Sequence, residues 1–429
     1  MTGVEAHHNR RMRTHLTRPL SAARLIGWLS LAQLITWGSV FYTFALLMAP
    51  IEHELGLSRA QSSLGFSLAL LAEGLLAYPV GRWIDRGQER VVMTGGSLLV
   101  GACLLLHSGI SSALGFYAVW LGLGAGLAAT LYPPAFAVLT RRFPDNFRRA
   151  IITLTFLGGL ASTVFIPLSA WLIATLGWRH ALWVLAALHL CLCAPLHAWV
   201  LRHAPAAKAA NAGTHPSAHP VATDPVPRPA LGQHLRSAPF VLVGVFIVLL
   251  MAATAALPAH LVSLLRENHL PEAWVITTVA SIGVLQVLGR LLMYFFEHRL
   301  DLHQVNRLVP TLIPLGLAAL LIAPMAETAH VTWVLLFVLL YGLGNGMLTV
   351  VKGTAVAEYV SRDDVARLNG VLGLPTALAR AAAPLLMGLM WQPQSGYEAG
   401  LWFLLITSLL GVGALVAAQS LSARHKLSR

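Results

Sequence analysis

Apolar stretches of about 20 residues recur along the whole chain, and each is long enough to cross the hydrocarbon core of a membrane. The predicted membrane helices are 24–48, 60–82, 91–108, 113–139, 150–174, 180–201, 239–262, 273–296, 308–324, 331–357, 368–391 and 399–421. These stretches are continuously apolar, whereas the strands of an outer-membrane barrel alternate in polarity. The sequence therefore predicts an all-α membrane protein with twelve transmembrane helices and with both termini on one side.

The charge composition is consistent with this class, because 11% of the residues are charged, against about a quarter in soluble chains. The net charge of +12 could indicate a nucleic-acid partner. Most of the Lys and Arg residues, however, fall in the loops and tails on the side of the termini, and cytoplasmic loops carry such an excess. We therefore expect a protein that is embedded in a lipid bilayer, with cytoplasmic termini and no nucleic-acid partner.

One membrane segment occurs twice, because residues 121–137 align without a gap on residues 341–357. The shared residues are Gly122, Leu123, Gly124, Gly126, Ala135 and Ala137 in the first copy and Gly342, Leu343, Gly344, Gly346, Ala355 and Ala357 in the second. Repeats in the same sense predict two six-helix bundles related by a pseudo-twofold axis, a plan that transporters use. The shared glycines allow close helix packing.

Residues 202–237 interrupt the apolar pattern, since they are rich in Ala, Pro and His and show no apolar periodicity. Such a composition predicts a flexible cytoplasmic linker. The predicted organisation is a cytoplasmic tail at 1–23, a six-helix bundle at 24–201, the linker at 202–237, a second bundle at 238–421 and a cytoplasmic tail at 422–429.

Several other classes of protein are disfavoured by the sequence. Residues 1–23 are polar, so we expect no removable signal peptide. The chain has three cysteines, all in predicted helices, which excludes a disulfide framework. It has no Gly-Lys-Ser/Thr phosphate loop, and its short loops offer no nucleophile with a base beside it. We predict no enzymatic activity, no cofactor and no metal site, and we expect a monomer.

The loop between the second and third predicted helices carries a recognisable motif, GRWIDRGQER at residues 81–90. It resembles the signature loop of the major facilitator superfamily, with a glycine, an Asp-Arg pair and then a second glycine and a basic residue. The segment Gly177–Arg179 and the twelve-helix layout with a central linker also resemble that superfamily. The resemblance implies a rocker-switch carrier in which helices 1, 4, 7 and 10 line a central cavity. Helices 2 and 11, and helices 5 and 8, would meet between the halves.

The resemblance also implies which residues act as a gate on the cytoplasmic side. These are Gly81, Asp85, Arg86, Arg90 and, in the second half, Arg290. The second-half loop has lost the Asp-Arg pair, and the segment IPLSA at 166–170 keeps only the proline of the antiporter branch. This departure disfavours drug/proton antiport.

Four charged residues lie inside predicted helices, where each costs about 2.5–3.5 kcal/mol on insertion scales. They are Glu73, Arg290, Lys352 and Arg380. Arg380 is too deep to reach water, and its guanidinium suits a carboxylate. We expect Glu73 and Arg380 to pair across the halves, and an anionic substrate to compete with Glu73 for Arg380. Glu73 is also the candidate carrier if transport is coupled to protons.

Polar and aromatic residues on the helices that line the cavity complete the predicted substrate site. They are Gln33, Trp37 and Tyr42 in helix 1, Tyr132 in helix 4 and Asn345 in helix 10. His260, near the outer end of helix 7, is expected to be solvated. The alternative for each aromatic residue is simple packing or a place at the membrane interface.

Three cations against one anion in the membrane favour an anionic solute. We therefore predict a secondary active or facilitative transporter of a small organic anion that works by alternating access in a bacterial inner membrane. The first alternative is an efflux transporter of drugs or other toxic compounds. A less favoured alternative is a transport-inactive membrane receptor.

Overall fold

The computed structural model of the chain describes residues 22–143, 147–202, 231–296, 301–326, 329–361 and 364–427. Within these ranges, twelve helices are long and apolar enough to cross a membrane, which confirms the predicted number. In chain order, α1 to α12 are Ala23–Leu55, Arg59–Asp85, Glu89–Ser108, Ala113–Arg142, Arg149–Leu176, Trp178–Val200, Ala238–Glu267, Glu272–Phe296, His303–Met325, His330–Tyr359, Arg367–Leu389 and Glu398–Ser422.

The predicted tails and linker lie largely outside the described residues, which begin at residue 22, end at residue 427 and leave out 203–230. The last part of the predicted linker is described, and it contains a short helix, Leu231–Leu235. We call the side that carries the start of α1 and the end of α12 the terminus face, and the other side the opposite face.

Side chains of serine cap the starts of three membrane helices. Ser58 precedes α2 and forms a reciprocal capping box with Gln61, which satisfies backbone N–H groups that the helix leaves free. Ser112 accepts from the first turn of α4. Ser237 does the same for α7, where Pro239 stands at a first-turn position that needs no N–H donor. These caps fix where long apolar helices begin, which apolar content alone leaves open.

Two membrane helices contain a π-helical segment, Trp37–Tyr42 in α1 and Leu188–Cys193 in α6. Such segments carry an extra residue and occur frequently at functional sites. The two segments meet, because the Ser39 hydroxyl lies 2.7 Å from Nε2 of His189. Ser39 already donates its hydrogen to the carbonyl of Ile35, so His189 is the donor to Ser39.

The same packing pattern recurs in the two halves of the chain. In the first half α4 packs against α2 and α3, and in the second half α10 packs against α8 and α9. The halves meet where α2 contacts α11, where α5 contacts α8 and where α1 contacts α7. This is the arrangement of two pseudo-twofold-related bundles that the resemblance implied.

The glycines of the repeat support this symmetry, but they show that the two copies align at a different offset from the one predicted. An added Cβ on Gly124 would lie 2.2 Å from the carbonyl oxygen of Ala69 in α2, and one on Gly346 would lie 2.1 Å from that of Gln286 in α8. Because α2 and α8 are equivalent, Gly124 corresponds to Gly346. The ungapped alignment instead matched Gly124 with Gly344, which packs against α9. The expected alignment is therefore wrong by two residues, since a glycine-rich pattern matches itself at several offsets.

Candidate functional site

Glu73 and Arg380 face each other across the interface between α2 and α11. Oε2 of Glu73 lies 3.3 Å from Nη2 of Arg380, and the two side chains are 9% and 25% exposed. Next to this pair, an added Cβ on Gly74 would lie 2.4 Å from Cβ of Ala377, so the two helices are in close contact there. The pairing predicted from the sequence is present, and the exposed part of Arg380 leaves room for a second partner.

Lys352 of α10 belongs to the same charged cluster. Its amine interacts electrostatically with both Arg380 and Glu73. Among the described residues, no carboxylate lies within ion-pairing distance of Lys352. Glu358, which is also on α10, lies 3.8 Å from His303 instead. The cluster of Glu73, Lys352 and Arg380 therefore holds two cations and one anion, a surplus of one positive charge.

Arg290 of α8 forms a second cationic centre, at the interface with α5. Its Nη1 donates to the backbone carbonyl of Thr155 at 2.6 Å, and the Tyr132 hydroxyl is a hydrogen-bond partner. Its Nε is buried with no hydrogen-bond partner among the described residues, nor does any carboxylate described here pair with it. The resemblance implied a gating role for Arg290 near the cytoplasmic end of helix 8, and that role stays a prediction. The structure places its side chain between α5 and α8.

The cluster around Arg380 and the centre at Arg290 occupy equivalent positions in the two interfaces between the halves. This follows from the number of residues between contacts, taken here along α2 and α11. An added Cβ on Gly388 would lie 2.5 Å from Oγ of Ser63, and the Glu73–Arg380 pair is the next charged contact toward the terminus face. The step from Ser63 to Glu73 is ten residues, and the step from Gly388 back to Arg380 is eight.

The interface between α5 and α8 has the same spacing. The Thr163 hydroxyl donates to the carbonyl of Ala280 at 2.8 Å, and Arg290 then contacts Thr155. Here too the steps are ten residues along α8 and eight along α5. Glu73 and Arg290 are therefore symmetry equivalents, so the two cationic centres flank the interface at the same depth.

A small cavity of about 10 Å³ lies between the halves, close to Arg290. That volume is roughly what one water molecule requires. It is lined by Tyr42, Ser162, Pro258, Leu261, Val279, Ile282, Gln286 and Tyr341. The hydroxyls of Ser162 and Tyr341 are buried there without a hydrogen-bond partner among the described residues, and a buried hydroxyl of this kind needs a water or a solute.

The polar residues predicted on α1, α4 and α10 are distributed unevenly around this region. Trp37 packs against Tyr132, with ring centroids 5.2 Å apart, and its indole N–H is buried without a partner among the described residues. Gln33 instead donates to the carbonyl of Thr130 at 2.6 Å, which ties it to α4 inside the first half. Asn345 is half-buried on α10. Of these residues, Tyr132 contacts Arg290, and Trp37 packs against Tyr132.

The motif loop at the terminus-face end of α2 is largely exposed. Asp85, Arg86 and Arg90 are exposed, and Gly81 is half-buried with open space beside it. Their gating role stays a prediction. The loop is anchored by a residue that sequence reasoning missed, because Glu89 is fully buried and pairs with Arg141 and Arg142 at the end of α4.

Close approaches between α2 and α11 occur from Ser63 and Gly388 to Gly74 and Ala377. Beyond Gly74 and Ala377, toward the terminus face, an added Cβ on Gly81, Gly370 or Gly373 would meet no atom within 4 Å. Toward the opposite face the helices touch at Ser63 and Gly388, where side chains from both halves also form hydrogen bonds. The structure is therefore closed at the opposite face by contacts between the halves.

This geometry can be compared with known proteins. The sequence model of the Major Facilitator Superfamily matches residues 29–351, most of the chain. The chain belongs to the Major Facilitator Superfamily. As a member with twelve membrane-spanning helices, it is a multi-pass membrane protein that transports a solute.

Curated relatives of this superfamily member differ in what they carry. It is 28% identical over 353 residues to Monocarboxylate transporter 13 of Bos taurus, covering 80% of this chain and 75% of the relative. It is 29% identical over 181 residues to an MFS-type efflux pump of Mycolicibacterium smegmatis, covering 42% of this chain and 41% of the relative.

Solved structures of the superfamily share the fold. The nucleoside transporter NupG in its D323A form matches with a TM-score of 0.73 and 15% identity, covering 93% of this chain and all of that one. A bacterial homologue of the human lysosomal transporter Spinster, in an inward-facing unoccupied conformation, matches with a TM-score of 0.66 and 18% identity. That match covers 96% of this chain and 99% of the other.

Proposed function

We propose that this superfamily member carries a small organic anion, with a carboxylate as the group that it recognises. The observation that carries the proposal is the surplus of positive charge at two equivalent sites between the halves. Arg290 has no described carboxylate partner, and Lys352 and Arg380 share Glu73. A buried charge without a counter-ion is costly, so an anion that enters this region supplies the missing partner.

The surroundings of Arg290 fit the chemistry of such a solute. A guanidinium binds a carboxylate through two parallel hydrogen bonds, and the unpartnered Nε and the Tyr132 hydroxyl lie at this site. The aromatic ring of Trp37 packs beside Tyr132 and offers an apolar surface for a short carbon chain. The similarity to a monocarboxylate transporter over 80% of the chain supports the same chemistry.

Glu73 gives the second centre a role in the transport cycle. In the closed contact, its carboxylate occupies one side of Arg380. An anion that reaches Arg380 or Lys352 competes with Glu73, and release of Glu73 loosens the contact between α2 and α11. A released carboxylate also takes up a proton more readily than a paired one, so Glu73 is the proposed proton carrier in a proton-coupled cycle.

The proposed location is a bacterial inner membrane with the termini in the cytoplasm. The support is the distribution of basic residues, which lie mainly in the loops and tails of the terminus face, as expected of cytoplasmic loops. With that orientation, the structure corresponds to a state that is closed to the outside.

The test is transport of radiolabelled acetate, lactate, succinate and a hydrophobic cation by the purified protein in vesicles. We expect uptake of at least one carboxylate, which Arg290→Gln reduces about a hundredfold and Arg367→Gln leaves unchanged. Arg367 is the matched control because its side chain is 73% exposed at the start of α11 and pairs with Asp364. Transport of the hydrophobic cation with no carboxylate transport would favour the efflux alternative and contradict the proposal.

A further inference from the structure

A single arginine of the first half contacts several residues of the second half at the opposite face. Arg59 is the first residue of α2, and its side chain is 13% exposed. Its Nη1 donates to the Tyr397 hydroxyl at 2.7 Å, and its Nη2 lies 3.3 Å from Oε1 of Glu267. Its Nε lies 3.2 Å from Glu52, which belongs to the same half as Arg59.

Two aromatic rings of the second half complete the contact. The guanidinium carbon of Arg59 lies 5.2 Å from the ring centroid of Trp391 and 5.5 Å from that of Tyr397, within the range of cation–π attraction. The indole N–H of Trp391 donates to Glu267 at 3.1 Å. The loop that carries both rings is closed by a backbone bridge between Gln392 and Gly396. The second half therefore presents a preformed acceptor for one guanidinium.

A buried histidine supports this acceptor from behind. Tyr397 accepts a hydrogen bond from Arg59, and its hydroxyl lies 3.1 Å from Nδ1 of His260. Burial raises the pKa of the Tyr397 hydroxyl, so the hydroxyl keeps its hydrogen and donates it to His260. Nε2 of His260 then donates to the carbonyl of Pro384 at 2.9 Å. His260 is fully buried, which corrects the expectation that it is solvated.

We propose that these residues form a latch in which Arg59 of the first half engages Glu267, Trp391 and Tyr397 of the second, and that the opposite face opens only when this contact breaks. The latch rests on the alternating-access part of the proposed function, not on the identity of the solute. Arg59 and Glu52 lie in one rigid half and move together, whereas Glu267 and Tyr397 move away as the halves rock apart. Only the contacts between the halves therefore hold the face closed.

The two glutamates that contact Arg59 provide a matched pair of variants. Glu267→Gln weakens the contact between the halves, while Glu52→Gln removes a partner within one half and leaves Arg59 free to bind Glu267. The reporter is Ser263→Cys on α7, since Ser263 is 4% exposed and faces Met48 of the first half. A membrane-impermeant thiol reagent labels this cysteine only while the opposite face is open.

The experiment measures the labelling rate of Ser263→Cys in vesicles, without any added solute, against the parent chain with its natural cysteines. We expect Glu267→Gln to raise the rate about fivefold, which matches a partly exposed ion pair, and Glu52→Gln to leave it unchanged or lower it. Tyr397→Phe, which keeps the ring, is a second variant and should raise the rate by a smaller factor. Equal rates in Ser263→Cys alone and in Ser263→Cys combined with Glu267→Gln or with Tyr397→Phe would overturn the latch.

The outcome is independent of the anion hypothesis, because no solute is present. Transport experiments could refute carboxylate binding at Arg290 while Glu267→Gln still raises the labelling rate. Conversely, labelling rates that do not change in the latch variants would refute the latch and would not affect the proposal of carboxylate binding at Arg290.

Discussion

The two interfaces between the halves have the same helix geometry but different chemistry. The α2–α11 interface contains the ion pair Glu73–Arg380 deep in the membrane, and near the opposite face Arg59 of α2 pairs with Glu267 at the end of α7. The α5–α8 interface is held by small residues in close contact, since an added Cβ on Gly283 would lie 2.4 Å from Oγ of Ser162. Its one described charge is Arg290.

The symmetry makes this difference informative. The α8 residue at the position equivalent to Arg59 is Ile276, four residues before Ala280 as Arg59 is four before Ser63. The equivalent of Glu73 is an arginine and the equivalent of Arg380 is Thr155. The α2–α11 interface thus contains its own counter-charge, and the described residues of the α5–α8 interface do not. Binding of an added anion is therefore expected to be more favourable at the α5–α8 interface.

The largest effect is expected from Arg290→Gln, which removes the uncompensated charge. A charge-assisted contact of this kind is worth several kcal/mol when its partner is desolvated, so kcat/KM for the carboxylate should fall by about a hundredfold. Uptake kinetics in vesicles measure this. Thr155→Ala is the control, because Arg290 contacts the backbone carbonyl of Thr155 and not its side chain. An unchanged kcat/KM in Arg290→Gln would contradict the proposal that the α5–α8 interface binds the anion.

The second prediction concerns the ionic interface and uses a double-mutant cycle. Glu73→Gln leaves Lys352 and Arg380 without an anion, so we expect the thermal stability to fall, as for a broken buried pair, and transport to slow. Adding Arg380→Gln should restore part of the protein's thermal stability, because the uncompensated charge is then gone. Additive losses of stability in the double variant would show that the two side chains do not interact in the working protein.

The third prediction tests the register of the symmetry. Gly124→Ala and Gly346→Ala each force a Cβ against a backbone carbonyl, and overpacking of this kind costs about 1–3 kcal/mol. The melting temperature in detergent should fall by a few degrees, and by similar amounts in the two variants. Gly353→Ala, where the added Cβ meets no atom within 4 Å, should leave the melting temperature unchanged. A harmless Gly346→Ala beside a harmful Gly124→Ala would argue against their equivalence.

The smallest effects are expected from single hydrogen bonds, one at each interface. Thr163→Val removes the bond to Ala280, and Ser67→Ala removes the acceptor for the backbone N–H of Leu385. Each bond contributes about 1 kcal/mol, so stability should change little and to a similar extent. Transport rates, measured side by side, should change less than twofold. A large loss in one variant alone would locate a rate-limiting movement at that interface.

Much of the fold could be predicted because hydropathy and charge distribution are local properties of the chain. The number of helices follows from the apolar stretches, the family from the resemblance of the loop at 81–90, and the Glu73–Arg380 pair from the helix neighbours that this resemblance implied. The latch could not be predicted, because Arg59 and His260 lie near helix ends, where charges and histidines are expected to be solvated. Their burial depends on the loop with Trp391 and Tyr397, and its position is set by how two halves of the chain pack together.

The repeat register and the absence of a described counter-charge at Arg290 could not be predicted, for a related reason. A sequence comparison aligns glycines with glycines, whereas the structure aligns the helices that each glycine contacts. In the sequence, Arg290 resembles an arginine that flanks a loop. Its lack of a counter-charge becomes visible only when the neighbouring helices are in place.

The bulged turns in α1 and α6 have a further consequence for how this protein tolerates changes of length. A π-helical turn corresponds to an α-helical turn with one residue inserted, so deleting one residue within Trp37–Tyr42 lets the helix close into regular turns without shifting the segments on either side. What such a deletion removes is the protrusion that brings Ser39 to His189 and turns Tyr42 to the cavity. A chain shortened by that one residue would keep its helix across the membrane and lose part of the lining of the cavity between the halves.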